Sequence, residues 1–229
     1  MREIVLDTET TGLDPFQGHR VVEIGCVELL NRIPTGVTFH RYLNPERDVP
    51  QEAFNVHGLS LDFLKDKPLF GDVADEFLDF VADATLIAHN ASFDYGFLCA
   101  ELDLCKRATL PRDRVIDTIA LARRKHSAGP YSLDALCARY GIDNSRRTKH
   151  GALLDAEILA EVYLELIGAR QASLVLIETA ASGRTRSRGA PQRPVALPPR
   201  LTDADIAAHR DFVATLGDEP LWRSYLPTL

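Results

Sequence analysis

Cysteine is scarce and poorly placed for chemistry. The four present, Cys26, Cys99, Cys105 and Cys137, form no CxxC pair and sit among apolar residues. That pattern points to buried free thiols and away from a zinc site or a disulfide framework. Long apolar runs are missing as well. No stretch approaches the roughly 18 residues that a membrane-spanning helix requires. No basic, cleavable leader precedes the strand-like residues that begin at Arg2. A cytoplasmic protein with no membrane contact is the expectation. An excess of basic residues is also lacking. Lys and Arg number 26 against 33 Asp and Glu, a formal charge of −7. This weighs against a binder that grips nucleic acid by charge alone. Carboxylates gathered around a metal, together with solvated acidic faces, produce the same balance. No internal repeat is present.

What is there suffices for one sizeable core, with some chain to spare: 229 residues, 45% of them hydrophobic. The charge is uneven. From Ala169 onward the chain carries 8 Lys and Arg against 6 Asp and Glu, and the remainder carries 18 against 27.

Hydrophobic periodicity orders the first three quarters of the chain. Residues 2–7, 21–28 and 35–43 are short, β-branched runs; turn residues Pro34-Thr35-Gly36 and Asn44-Pro45 bound the third. Short links between them predict a three-stranded antiparallel meander. The period then changes. Val73, Phe77, Leu78 and Val81 predict a helix over 70–81, residues 85–88 a strand, and Phe93, Phe97, Leu98 and Leu102 a helix over 93–104. A strand at 114–117 and helices over 118–126, 132–140 and 152–167 complete the pattern. The expected fold is α/β, a mixed sheet built from the meander followed by β-α units and flanked by helices.

Beyond Gly168 the pattern breaks. Residues 181–200 are rich in Ser, Gly, Pro and Arg, so 169–200 reads as a flexible basic linker. A short helix is expected after it, capped by Thr202 with Asp205 three residues on and ended near Gly217. One amphipathic helix cannot bury its own apolar side chains, so 201–229 reads as a docking segment.

Three clusters carry candidate chemistry. In Asp7-Thr8-Glu9, residues i and i+2 of an extended chain share a face, which aims two carboxylates at one point. Buried paired carboxylates repel and call for a cation, and hard oxygen donors suit Mg²⁺ or Mn²⁺. Exposed acids at a strand end give the same triplet. In His89-Asn90-Ala91-Ser92-Phe93-Asp94, Asp94 falls in a first helical turn, where a simple capping acid is equally expected. His89 and Asn90 also fit structural roles. In His150-Gly151-Ala152-Leu153-Leu154-Asp155, Asp155 borders an apolar helical stripe of Leu154, Ile158, Val162 and Leu166, costly for a carboxylate without a partner. His150 follows a basic loop of Arg146, Arg147, Thr148 and Lys149. It fits a general base or a surface histidine. Taken together, four carboxylates and a histidine at strand and helix ends form the inventory for two-metal phosphodiester hydrolysis.

DxE, HNxxFD and HxAxxD in this order resemble the DEDD exonucleases that carry a histidine in the third motif. The resemblance implies an RNase H-like fold. It also implies direct metal ligation by Asp7, Glu9 and Asp155, water-mediated ligation by Asp94, and His150 as the base that deprotonates the attacking water. The run 7–13 and the segment Glu52-Ala53-Phe54-Asn55-Val56-His57-Gly58 are similar to the epsilon proofreading subunits of bacterial DNA polymerase III. In that family, positions matching Glu52 and His57 contact the terminal nucleotide. Gln171 to Leu176 is similar to a sliding-clamp binding hexapeptide. Asp205 to His209 and Leu221-Trp222 are similar to the segment that anchors such subunits to the polymerase alpha subunit. Residues 1–168 would then be a metal-dependent 3′→5′ exonuclease domain using two divalent ions (Mg²⁺ or Mn²⁺) on a DNA 3′ end. Phe16 and Phe54 fit either base contacts or the core, and Phe93 reads as core. An RNA-trimming enzyme of the same superfamily shares the catalytic set. A non-catalytic adaptor between clamp and polymerase has no use for it.

Overall fold

The computed structural model describes residues 1–147, 149–169 and 201–216. Five strands form one sheet: β1 (Arg2–Thr10), β2 (Val21–Leu30), β3 (Ile33–Tyr42), β4 (Thr85–Ala88) and β5 (Val115–Asp117), in the order β3-β2-β1-β4-β5. β1, β2 and β3 are antiparallel neighbours, while β4 and β5 add in parallel. This is the mixed sheet expected from the change of period. Among the described residues the helices are α1 (Gln51–His57), α2 (Leu61–Leu64), α3 (Phe70–Val81), α4 (Ala91–Leu104), α5 (Thr118–Lys125), α6 (Leu133–Tyr140), α7 (Ala152–Leu166) and α8 (Asp203–Ala214).

The period-2 alternation of β1 sorts two cores. Ile4 and Leu6 join Ile24, Cys26 and Phe39 against Phe77 of α3 and Phe97 and Leu98 of α4. Val5 joins Leu29 and Ile87 against the helices α5 to α7, including Leu136, Ile158 and Val162. Side chains at odd positions of β1 therefore face α7. Glu3 obeys the same parity and accepts a 2.6 Å hydrogen bond from the Tyr163 hydroxyl of α7. All four cysteines are free thiols, Cys26 and Cys137 buried, Cys99 and Cys105 partly so.

Several boundaries differ from expectation. β3 begins at Ile33 and runs through Pro34 to Gly36, and the reversal lies at Asn31 and Arg32, whose φ values are 51° and 68°. Two successive positive φ values are what a tight hairpin needs. Pro34 is tolerated because β3 is an edge strand, where a missing N–H need not break the ladder. α1 and α2 were not anticipated, since seven and four residues are too short to display a helical period. α4 starts two residues earlier than its apolar spacing suggested. β1 continues through Glu9 to Thr10.

In the C-terminal unit, α8 has the expected capping box: the Thr202 hydroxyl accepts from the Asp205 N–H, and the Asp205 carboxylate accepts from the Thr202 N–H. The helix stops at Ala214, before Gly217. The linker 170–200 with its hexapeptide 171–176, and the segment 217–229 with Leu221-Trp222, lie outside the described residues. No helix among the described residues is long and apolar enough to cross a membrane.

Candidate active site

β1 delivers Asp7 and Glu9 on its α7-facing side. Opposite them, α7 supplies Asp155 in its first turn, with Gly151 as N-cap. The helix comes this close because β2 carries Gly25 at the position paired with Asp7. A Cβ there would stand 2.2 Å from the Leu153 nitrogen, so only glycine lets the α7 backbone rest on the strand.

Asp94 reaches the same place from α4. Its Oδ1 accepts from the Thr8 N–H at 3.0 Å and from the Thr8 hydroxyl at 2.7 Å. The carboxylate thus ties α4 to β1, whereas the N-cap of α4 is Asn90, in a left-handed conformation with φ 61°. His89 turns aside, with Nδ1 2.9 Å from the Thr118 hydroxyl. His150 stands at the C-terminal end of the α6–α7 loop, about half exposed.

Burial and neighbouring charge raise three of the four acids. Enclosure by protein, followed by the charges of Asp94, Glu9 and Asp155, holds the Asp7 carboxyl well above the usual range. Burial, with help from Asp155, Glu23 and Asp94 and against Arg147, pushes Glu9 up to about 8. Burial pushes Asp94 up to about 7, against the hydrogen bonds from Thr8. Such a cluster either keeps protons or takes a cation. Glu9, His150 and Asp155 each offer a ligand atom, and these atoms lie within 4.8 Å of one another. The oxygen-rich donor set and this convergence fit hard divalent cations.

Two cavities flank the acids. One of about 540 Å³ is lined by Thr8 to Asp14, Glu52, Ala53, Val56, His57 and Phe93, with Glu9 among them. The other, of about 360 Å³, is lined by Asp7, His89, Asp134, Arg147, His150 and Asp155. Glu52 is exposed at the rim of the first. His57 is buried, and burial lowers its pKa. Its Nδ1 accepts from the Leu59 N–H at 3.0 Å, so the neutral ring carries its proton on Nε2 as a donor. Phe16 is 90% exposed, Phe54 lies at the surface, and Phe93 both packs on the core and borders the cavity.

Sequence reasoning missed Arg147. Its side chain is 9% exposed while that of its neighbour Arg146 is 74% exposed. The guanidinium bonds Asp155 through Nε (2.6 Å) and Nη2 (2.7 Å) and Asp134 through Nη1 (2.9 and 3.0 Å). Nothing in the local run of basic residues singles it out. Thr8 and Gly25 were also overlooked. The DxE triplet could have flagged Thr8 by its place between the two acids.

Known proteins similar to this chain agree with that chemistry. The family described as Exonuclease matches residues 4–163. The chain is 47% identical to the DNA polymerase III subunit epsilon of Rickettsia felis over 225 residues, covering 94% of this chain and 97% of that protein. It is 47% identical to the subunit of the same name from Escherichia coli K12 over 239 aligned positions, covering 97% and 98%. Among solved structures, Exonuclease X in complex with 5′ overhanging duplex DNA superposes with a TM-score of 0.57 at 25% identity, covering 72% of this chain and 91% of that one.

Proposed function

From the premise that this chain belongs to the exonuclease family, we propose that it removes mismatched nucleotides from DNA 3′ ends as the proofreading subunit of a bacterial replicative DNA polymerase III. The observation that carries this reading is the meeting of Asp7, Glu9, Asp94 and Asp155, from three separate elements, beside His150. The names of the relatives supply the polymerase context.

Asp7, Glu9 and Asp155 would hold two divalent cations of the Mg²⁺ or Mn²⁺ class directly, and Asp94 through water. When bound they offset the negative charge that develops on the attacking and leaving oxygens. The protein's own part is to hold the acids rigidly, to admit a single strand and to move a proton. His150, an imidazole with a ring nitrogen able to act as a base, accepts the proton of the attacking water. The His57 Nε2–H and the Glu52 carboxylate line the larger cavity and hold the terminal nucleotide there. A mismatched end frays more readily than a paired one, so it reaches this single-strand cavity more often. The product is a nucleoside 5′-monophosphate.

Residues 1–168 form the nuclease, 169–200 a tether that carries the clamp-binding hexapeptide 171–176, and 201–229 the segment that docks on the polymerase alpha subunit. The capped helix α8 within that segment supports the last assignment.

The test is Mg²⁺-dependent digestion of a mismatched DNA primer. The chain should shorten it from the 3′ end, the Asp7→Ala protein should not, and a matched RNA strand should be a poor substrate. Faster cleavage of RNA would replace proofreading with RNA trimming. Loss of residues 201–229 should spare digestion and abolish co-elution with the polymerase; unchanged co-elution would remove the docking role.

A further inference from the structure

We infer that Arg147 is a built-in counter-ion that competes with the catalytic cation for Asp155 and withholds His150 until that cation binds. The inference rests on the metal-dependent reading given above.

The geometry is unusual for an arginine in a basic loop. Arg147 alone of the described basic residues there is drawn inside, and its guanidinium spends all three nitrogens on groups that define the site. Nε and Nη2 engage both oxygens of Asp155, at 2.6 and 2.7 Å, the paired geometry that suits a guanidinium best. Nη1 engages both oxygens of Asp134, a residue whose side chain remains 59% exposed and whose Oδ1 also accepts from Asn144 Nδ2. Nη2 also reaches Nδ1 of His150 at 2.8 Å.

That last contact has a definite polarity. A guanidinium donates and has no lone pair to offer, so the His150 Nδ1 must be the acceptor. A neutral imidazole has one lone pair. With Nδ1 engaged, the ring's proton sits on Nε2, and nothing is left with which to take a proton from water. His150 held this way is not a working base.

Asp155 is in a similar position. Both of its oxygens already face positive charge. A divalent cation held by Glu9 and Asp155 would bring a second positive centre onto the same carboxylate, and like charges at such spacing repel strongly around a buried carboxylate. Cation and guanidinium therefore exclude one another at Asp155 at least in part. Asp134 supplies the alternative: Arg147 can let go of Asp155 and His150 while its Nη1 keeps its grip on an exposed carboxylate. One displacement then completes the cation's ligands and returns the lone pair to His150. Arg147 is a positioning residue in this scheme, since it acts through Asp155 and His150 and not on the substrate.

Calorimetric titration of the full chain with Mn²⁺ alone tests this, because the sign of the effect separates competition from support. Arg147→Gln should bind Mn²⁺ at least threefold more tightly than the wild type and should melt at a lower temperature without Mn²⁺, with the deficit removed when Mn²⁺ is added. Arg147→Lys, which keeps the charge but loses the paired contact, should fall between the two. Unchanged or weaker Mn²⁺ binding by Arg147→Gln would overturn the competition and leave Arg147 as a support for Asp155. Should the Gln protein not fold, the Lys protein decides by the same sign. Failure of the wild type to bind Mn²⁺ at all would instead remove the metal reading on which the inference stands.

Discussion

The two sides of the site are built differently. On one side Asp7 and Glu9 are locked into β1, the central strand of the sheet, between β2 and β4. Their backbone pairs with Gly25 and Glu23 of β2 and cannot move without disturbing that ladder. On the other side His150 sits on a connecting loop, about half exposed, with its ring Nδ1 2.8 Å from Arg147 Nη2 and 3.4 Å from Asp155 Oδ2. Ligands that must keep several negative charges close together need a rigid frame, because relaxation would let the charges separate. A base that accepts and then releases a proton needs solvent and some freedom. The contrast suggests that the strand side governs whether the site exists and the loop side governs how fast it turns over.

Asp7→Asn should have the largest effect. It keeps the shape but removes a charge at the centre of the acids, and the rate on single-stranded DNA should fall by at least ~1,000-fold, about 4 kcal/mol in the barrier. The protein should remain folded by circular dichroism. His150→Ala should cost roughly 100-fold or more in rate, in the range for losing a general base, while Mn²⁺ affinity changes far less than in Asp7→Asn. If the two substitutions lower Mn²⁺ affinity equally, the division between the two sides fails.

Gly25→Ala probes the frame itself. The added methyl meets α7 backbone and cannot be accommodated by a side-chain rotation. A loss of about 2 kcal/mol in urea unfolding is expected, typical of overpacking, together with a fall in rate as Asp155 is pushed away from β1. Normal stability and rate would show that α7 has room to spare.

The smallest effect concerns pH. Glu9 is held at about 8 in the fold, above the ordinary carboxylate value near 4.5 that applies once the chain unfolds. A raised acid favours the folded state fully below pH 4.5, and that advantage drains away as pH climbs through 8. Thermal melts in EDTA should therefore show stability declining over this window, and Glu9→Gln should flatten the decline by on the order of 1 kcal/mol at pH 8. A slope unchanged by the substitution would assign the charge strain to Asp7 and Asp94 instead.

The sheet was legible because β1 and the longer helices repeat their apolar residues often enough to show a period. The carboxylates were legible because each sits in a short run whose neighbours constrain it. Arg147 was not. Its distinction from Arg146 lies in which side chain turns inward, and that depends on Asp134 and Asp155, which belong to helices packed together only in the folded chain. α1 escaped for a related reason: Pro50 and Gly58 bracket it, but about two turns leave no pattern to read. The hairpin at Asn31 was misplaced because Pro34 and Gly36 carry stronger turn signals than the residues that make the turn.

β1 opens the chain, and Asp155 arrives with α7, the last helix of the same body. A ribosome must therefore release nearly the whole of that body before the acids can meet. A product that stops short of α7 retains Asp7 and Glu9 but lacks Asp155. The site is therefore complete only once α7 has packed on β1 and β2.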